Sequence, residues 1–108
     1  MRRPHILVIN PNSNTAVTAA IDGAVAPFRF ADGPEIVCTT LEEGPRGVET
    51  QKDADSVTMP LRRLVEGAND IDAFVIACYS DPGLHVCREG TSSPGSRITT
   101  RGPLPYVI

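Results

Sequence analysis

Apolar positions along this chain follow two periods, and the two alternate. His5-Ile-Leu-Val-Ile9 is a continuous run bounded by Pro4 and Asn10-Pro11, and it predicts a buried strand. Asn10-Pro-Asn-Ser-Asn14 is a loop rich in side chains that bond their own backbone, and Asn14 is placed to cap a helix. Val17, Ala20, Ile21, Ala24, Val25 and Phe28 then recur at helical spacing, predicting a helix from about Thr15 to Phe28 with one apolar face. Ala31-Asp-Gly-Pro34 reads as a turn and Glu35–Leu41 as the next strand. Helical spacing returns from Thr50 to about Gly67 through Val57, Leu61, Leu64 and Val65. Pro60 falls inside that stretch and predicts a kink or two abutting helices. Ala73–Ala77 gives a third strand, after which Ser80 or Asp81 is expected to cap a helix with Pro82 in its first turn.

Strands alternating with helices predict an α/β fold, a three-layer parallel sheet with helices on its faces. In such sheets ligands bind beyond the carboxyl ends of the strands, and the loops starting at Asn10, Glu42 and Cys78 all fall there. Cys78 stands where an apolar run ends and turn residues follow, near an expected helix start. A thiol so placed is favoured as thiolate by free helix N–H groups and the helix dipole. The competing reading is a small apolar core residue. After Pro94 the alternation stops: Gly95 onward offers Ser, Arg, Gly and Pro and no convincing fourth strand. The expected organisation is an α/β unit over residues 1–94 followed by an irregular tail over 95–108.

Composition narrows the function classes. The chain has 108 residues, a formal net charge of −3 and no basic patch, which argues against nucleic acid or an anionic membrane as partner. Neither a bilayer-spanning apolar run nor a secretory leader is legible. Three cysteines, an odd number without metal-ligand spacing, point to a reducing, cytoplasmic setting and to no metal site. Cys38 within a strand and Cys87 within a helix read as core residues or bystanders. His85 reads as a surface or packing residue.

Three segments together carry a family likeness: Ile6-Leu-Val-Ile-Asn-Pro-Asn-Ser-Asn-Thr15, Glu43-Gly-Pro45 with Glu49-Thr50, and Phe74-Val-Ile-Ala-Cys-Tyr-Ser-Asp-Pro-Gly-Leu84. In this order and spacing the chain resembles the aspartate/glutamate/hydantoin racemase family, in its hydantoin and allantoin branch, from about Ile6 to Pro94. The resemblance implies a cofactor-independent racemase or epimerase of hydantoin-like or amino-acid-derived small molecules. In that family two α/β halves face each other and each contributes one cysteine. One thiolate removes the proton α to a carbonyl and the opposite thiol returns one to the other face. Cys78 matches the cysteine of the first half. Asn10 and Asn12 match positions lining the substrate pocket, and Gly44, Tyr79 and Ser80 match loop positions that hold carbonyl or ring amide oxygens. Each also has a structural reading: Asn10 and Asn12 as turn stabilisers, Ser80 as a helix cap, Gly44 as a backbone requirement and Tyr79 as packing.

The chain also departs from that family, whose members are about twice as long and carry the partner cysteine in the second half. The break after Pro94 is expected to mark a frameshifted or prematurely ended reading frame, and the truncated chain is expected not to racemise by the two-base route. A short parallel sheet with uncovered edges predicts low solubility, molten character or self-association as a homo-oligomer. The alternative function is a non-catalytic α/β fragment that binds a small ligand or another chain.

Overall fold

The computed structural model describes residues 3–78 and 80–90, and the backbone alone of 97–100. Four parallel strands stand in the order β2-β1-β3-β4: β1 His5–Asn10, β2 Glu35–Thr40, β3 Ala73–Ile76 and β4 Arg97–Thr100. β1 is the organising strand. It pairs with β2 from His5↔Glu35 to Asn10↔Thr40, and with β3 from Ile6↔Ala73 to Ile9↔Ile76.

The helices are α1 Thr15–Val25, α2 Gln51–Ser56, α3 Thr58–Gly67 and α4 Leu84–Gly90. The Asn14 side chain caps α1 by accepting from the Ala16 N–H. The α-helix stops at Val25 and a 3₁₀ turn, Ala26–Phe28, completes the segment. Pro27 has no N–H to continue the α ladder, which accounts for the change of winding. The helical segment through Pro60 is indeed two abutting helices, broken at Val57. Pro60 lies in the first turn of α3, where its missing N–H has no intrahelical partner to lose.

Alternation along β1 and β3 sorts the core into two layers of contact. Leu7, Ile9, Phe74 and Ile76 face α2, α3 and α4, meeting Val57, Leu61, Val65 and Cys87. Ile6, Val8, Val75 and Ala77 face the other way, toward Ile21 and Val25 of α1. The molecule is therefore a helix layer, a parallel sheet and a second helix layer, as the alternating pattern predicts.

Three expectations need correction. Arg97–Thr100 is a fourth strand, paired with β3 from Ala73↔Arg97 to Ile76↔Thr100. Ile98, Thr99 and Thr100 are β-branched, but a run this short among Ser, Arg and Gly shows no readable period. The remainder of the tail, residues 95–96 and 101–108, lies outside the described residues. Secondly, Phe28 does not join the apolar face of α1; it is 47% exposed beyond the helix end. Thirdly, the last helix starts at Leu84, so Gly83 and not Ser80 or Asp81 holds the position before it, and Pro82 precedes its first turn. Asp81 (φ 53°) and Gly83 (φ 68°) are both left-handed and turn the chain once more before the helix. Gly83 tolerates this because it has no Cβ, and one built there would press 3.2 Å from the Thr58 Cα.

Candidate functional site

Strand order reverses between β1 and β3: the chain leaves β1 toward β2 on one side, then crosses back to β3 on the other. At such a switch point the loops leaving the carboxyl ends diverge and open a crevice. Three loops meet at this edge, after Asn10, after Thr40 and after Ile76.

The first two loops are locked together. The Ser13 N–H donates to the Pro45 carbonyl at 2.8 Å, and the Leu41 N–H to the Asn10 carbonyl at 2.9 Å. Gly44 lies against the Pro11 carbonyl oxygen so closely that a Cβ would sit 2.4 Å from it. Its absent side chain is thus a steric requirement of the loop contact.

Asn10 is 1% exposed, and its amide is committed inside the protein. Its Nδ2 donates to Asn12 Oδ1 (2.8 Å), the Asn14 carbonyl (3.1 Å) and Thr18 Oγ1 (3.0 Å). Its Oδ1 accepts from the Asn12 N–H at 3.2 Å. This geometry fits the turn-stabilising reading of Asn10. Asn12 is half-buried: its Oδ1 also accepts from the Asn14 N–H at 2.9 Å, whereas its Nδ2 has no partner among the described residues.

The third loop carries Cys78. The Ala77 N–H bonds the Ile9 carbonyl at 2.9 Å, extending the β1–β3 ladder one step, so Cys78 emerges just past it beside Asn10-Pro11. Two turns follow, Cys78 N–H to the Ile76 carbonyl and Asp81 N–H to the Cys78 carbonyl, at 3.0 and 3.3 Å. The half-buried Cys78 Sγ lies 3.5 Å from Ser80 Oγ, a contact that no spacing pattern signals. Ser80 in turn lines a cleft of about 330 Å³ between this loop and the start of α2, shared with Thr50, Gln51 and Thr58. The α4 helix begins six positions beyond Cys78, so the thiol does not abut a helix start as the sequence implied. Tyr79 lies outside the described residues.

The other two thiols are differently placed. Cys87 is fully buried in the core, and burial pushes it up to about 11, with the nearby Arg62 opposing. Cys38 points to the α1 face of β2, where burial and then the Asp22 carboxylate raise it. Neither is at the carboxyl edge. Among the described residues no three His, Cys, Asp or Glu side chains gather as metal ligands, and no helix is long and apolar enough to cross a membrane.

The fold and its edge define a doubly wound α/β protein with a thiol at the strand-order reversal. Comparison with known proteins makes the class specific: the chain belongs to the Asp/Glu/hydantoin racemase family, matched over residues 6–100. Over 92 residues it is 38% identical to a hydantoin racemase of Pseudomonas sp. (strain NS671), covering 82% of this chain and 36% of that protein. It is 40% identical over 92 residues to a hydantoin racemase of Paenarthrobacter aurescens, covering 82% of this chain and 39% of that one. Among solved structures, the allantoin racemase from Klebsiella pneumoniae superposes with a TM-score of 0.76 at 30% identity, covering 89% of this chain and 39% of that one. The chain therefore spans well under half the length of these relatives.

Proposed function

We propose that this chain carries one side of a cofactor-independent racemase site, with Cys78 as the acid–base group acting on hydantoin-like or amino-acid-derived substrates. Family membership and the likeness to hydantoin and allantoin racemases support the racemase reading. The observation that carries the residue assignment is Cys78 at the β1/β3 reversal, its Sγ 3.5 Å from Ser80 Oγ beside the cleft.

The chemistry follows from the carbon acid. A thiolate takes the proton on the carbon between a carbonyl and a nitrogen, and the C–H electron pair moves into the carbonyl as an enolate. The Asn12 amide is suited to that developing oxyanion, whereas the Gly44 N–H is already given to the Leu41 carbonyl at 2.9 Å. Returning the proton from the same thiol restores the original configuration. Inversion requires a second acid on the opposite face. Cys38 and Cys87 do not supply it, since one lies on the flank of β2 and the other inside the core.

The chain alone is accordingly expected to exchange the α-proton without racemising. Incubation with one enantiomer of 5-benzylhydantoin in deuterated water, followed by NMR and polarimetry, checks this. The expected result is loss of the C5–H signal above the buffer rate, abolished in Cys78→Ala, with optical rotation decaying no faster than in buffer. No exchange above buffer, or equal exchange in Cys78→Ala, would sink the proposal.

A further inference from the structure

We propose that Thr18 and Thr40 are positioning residues which, through Asn10, fix the Asn12 amide so that its N–H groups are presented to substrate. The inference rests on the racemase reading above and adds to it a set of residues that do not touch the ligand.

The amide orientations are dictated by neighbours whose roles are unambiguous. The backbone N–H of Asn14 is a donor, so the Asn12 atom facing it at 2.9 Å is Oδ1. The backbone N–H of Asn12 is a donor, so the Asn10 atom facing it is Oδ1, which leaves Asn10 Nδ2 toward its three acceptors. Asn12 Oδ1 then has both lone pairs occupied, by Asn10 Nδ2 and the Asn14 N–H. The plane of the Asn12 amide is fixed, and its two Nδ2 protons are left over.

Asn10 itself is held by the threonines. Thr18 Oγ1 accepts from Asn10 Nδ2 at 3.0 Å and meets Thr40 Oγ1 at 2.6 Å. A hydroxyl that has accepted one bond is polarised to donate the next, so the run from Asn10 to Thr18 to Thr40 strengthens cooperatively. Thr18 belongs to α1, Thr40 ends β2, and Asn10 ends β1 directly opposite Thr40 in register. Three elements are thereby pinned at one point beneath the Asn12 loop. A preorganised donor favours the enolate oxygen over the ground-state carbonyl, whereas a donor that must be oriented during reaction gives much of that advantage away.

The test uses Thr40→Val and Thr18→Val, which keep shape and remove the hydroxyl, with Thr40→Ser and Thr18→Ser as rescue variants. For exchange of 5-benzylhydantoin, each Val variant is expected to lower kcat about tenfold with KM within about twofold. Each Ser variant is expected to restore kcat. In an Asn12→Ala background, Thr40→Val is expected to cost nothing further, because the pathway runs through Asn12. A second readout is independent of turnover: the Asn12 side-chain amide resonances in a ¹⁵N-labelled chain are expected to shift and lose order in the Val variants and to recover in the Ser variants. Unchanged Asn12 resonances in both Val variants overturn the inference, as do Ser variants that fail to rescue. If the unmodified chain shows no exchange, the racemase reading fails by itself, and the amide resonances still decide whether the threonines hold Asn12.

Discussion

Gly44 and the cysteines show how single positions divide between shape and chemistry. A methyl group at Gly44 has 2.4 Å to the Pro11 carbonyl oxygen, and the obstacle is backbone on both sides. Gly44→Ala must part the first two loops, and it is expected to destabilise the chain by about 1–3 kcal/mol, measured by urea titration. The same variant is expected to lose the protection of the Ser13 amide in hydrogen exchange, since that N–H bonds Pro45 in the adjoining loop. Among the thiols, Cys87 is pushed up to about 11 by burial, and burial with Asp22 also raises Cys38, so both stay protonated in mildly alkaline buffer. Iodoacetamide at about pH 8 is therefore expected to modify Cys78 first, read by peptide mass spectrometry, because the thiolate is the reacting species. Labelling of Cys87 ahead of Cys78 would contradict this ordering. Sequence pattern placed Cys78 at the strand end correctly, but its neighbourhood was hidden. The left-handed Asp81 and Gly83 leave no mark in hydrophobic period, and they lie in the segment that delays the helix to Leu84.

At the scale of elements, α2 is too short to persist by propensity and depends on its first turn. Thr50 and Asp53 form a capping box: Thr50 Oγ1 accepts the Asp53 N–H at 3.1 Å, and Asp53 Oδ2 accepts the Thr50 N–H at 3.0 Å. Thr50→Ala is expected to cost about 1 kcal/mol in chemical denaturation. Hydrogen bonds from the Glu49 and Thr50 backbone hold the Asp53 carboxyl below its ordinary 3.8. A carboxyl depressed in the folded state contributes stability that is complete above 3.8 and is lost as pH falls through the folded value. The difference in melting temperature between the unmodified chain and Asp53→Asn is expected to be present at about pH 6 and to vanish toward about pH 2. A constant difference across that range would show that the carboxylate charge is not what caps the helix. The longer elements were legible because their periods run for several residues, as in Ile6–Ile9 and Leu61–Val65. Arg97–Thr100 was not, because its place as a strand comes from pairing with β3 and not from its own pattern.

Across the whole molecule the two helix layers cover the sheet unequally. α2, α3 and α4 pack on one face, while α1 alone serves the other. Beside α1 an apolar cleft of about 280 Å³ remains, lined by Ile6, Val8, Ile36 and Val75 and rimmed by Phe28 and Phe30, which are 47% and 62% exposed. An open apolar surface of this kind favours association. Phe30→Glu is expected to raise the soluble yield and shift light scattering toward the monomer, without lowering the melting temperature, because Phe30 contributes little to the core. An unchanged particle size would locate any association elsewhere. The convergence of three loops at one edge was legible from strand–helix alternation alone. The Asn10–Thr18–Thr40 run was not, since it joins positions from three elements through hydroxyl and amide contacts that no spacing rule encodes.

β1 is bound on one side to β2 and on the other to a strand that follows it by more than sixty residues, down to the His5 N–H on Asp72 at 2.8 Å. Its last two residues hold all three loops: Asn10 opens the Asn loop and its carbonyl takes the Leu41 N–H, while the Ile9 carbonyl takes the Ala77 N–H just before Cys78. No shorter stretch of the chain contains the crevice in miniature. During folding the crevice arises only when the long closure to β3 is made, at the slow, nonlocal end of the process. During unfolding it is lost in the same step as the sheet, so its lifetime is that of the fold itself.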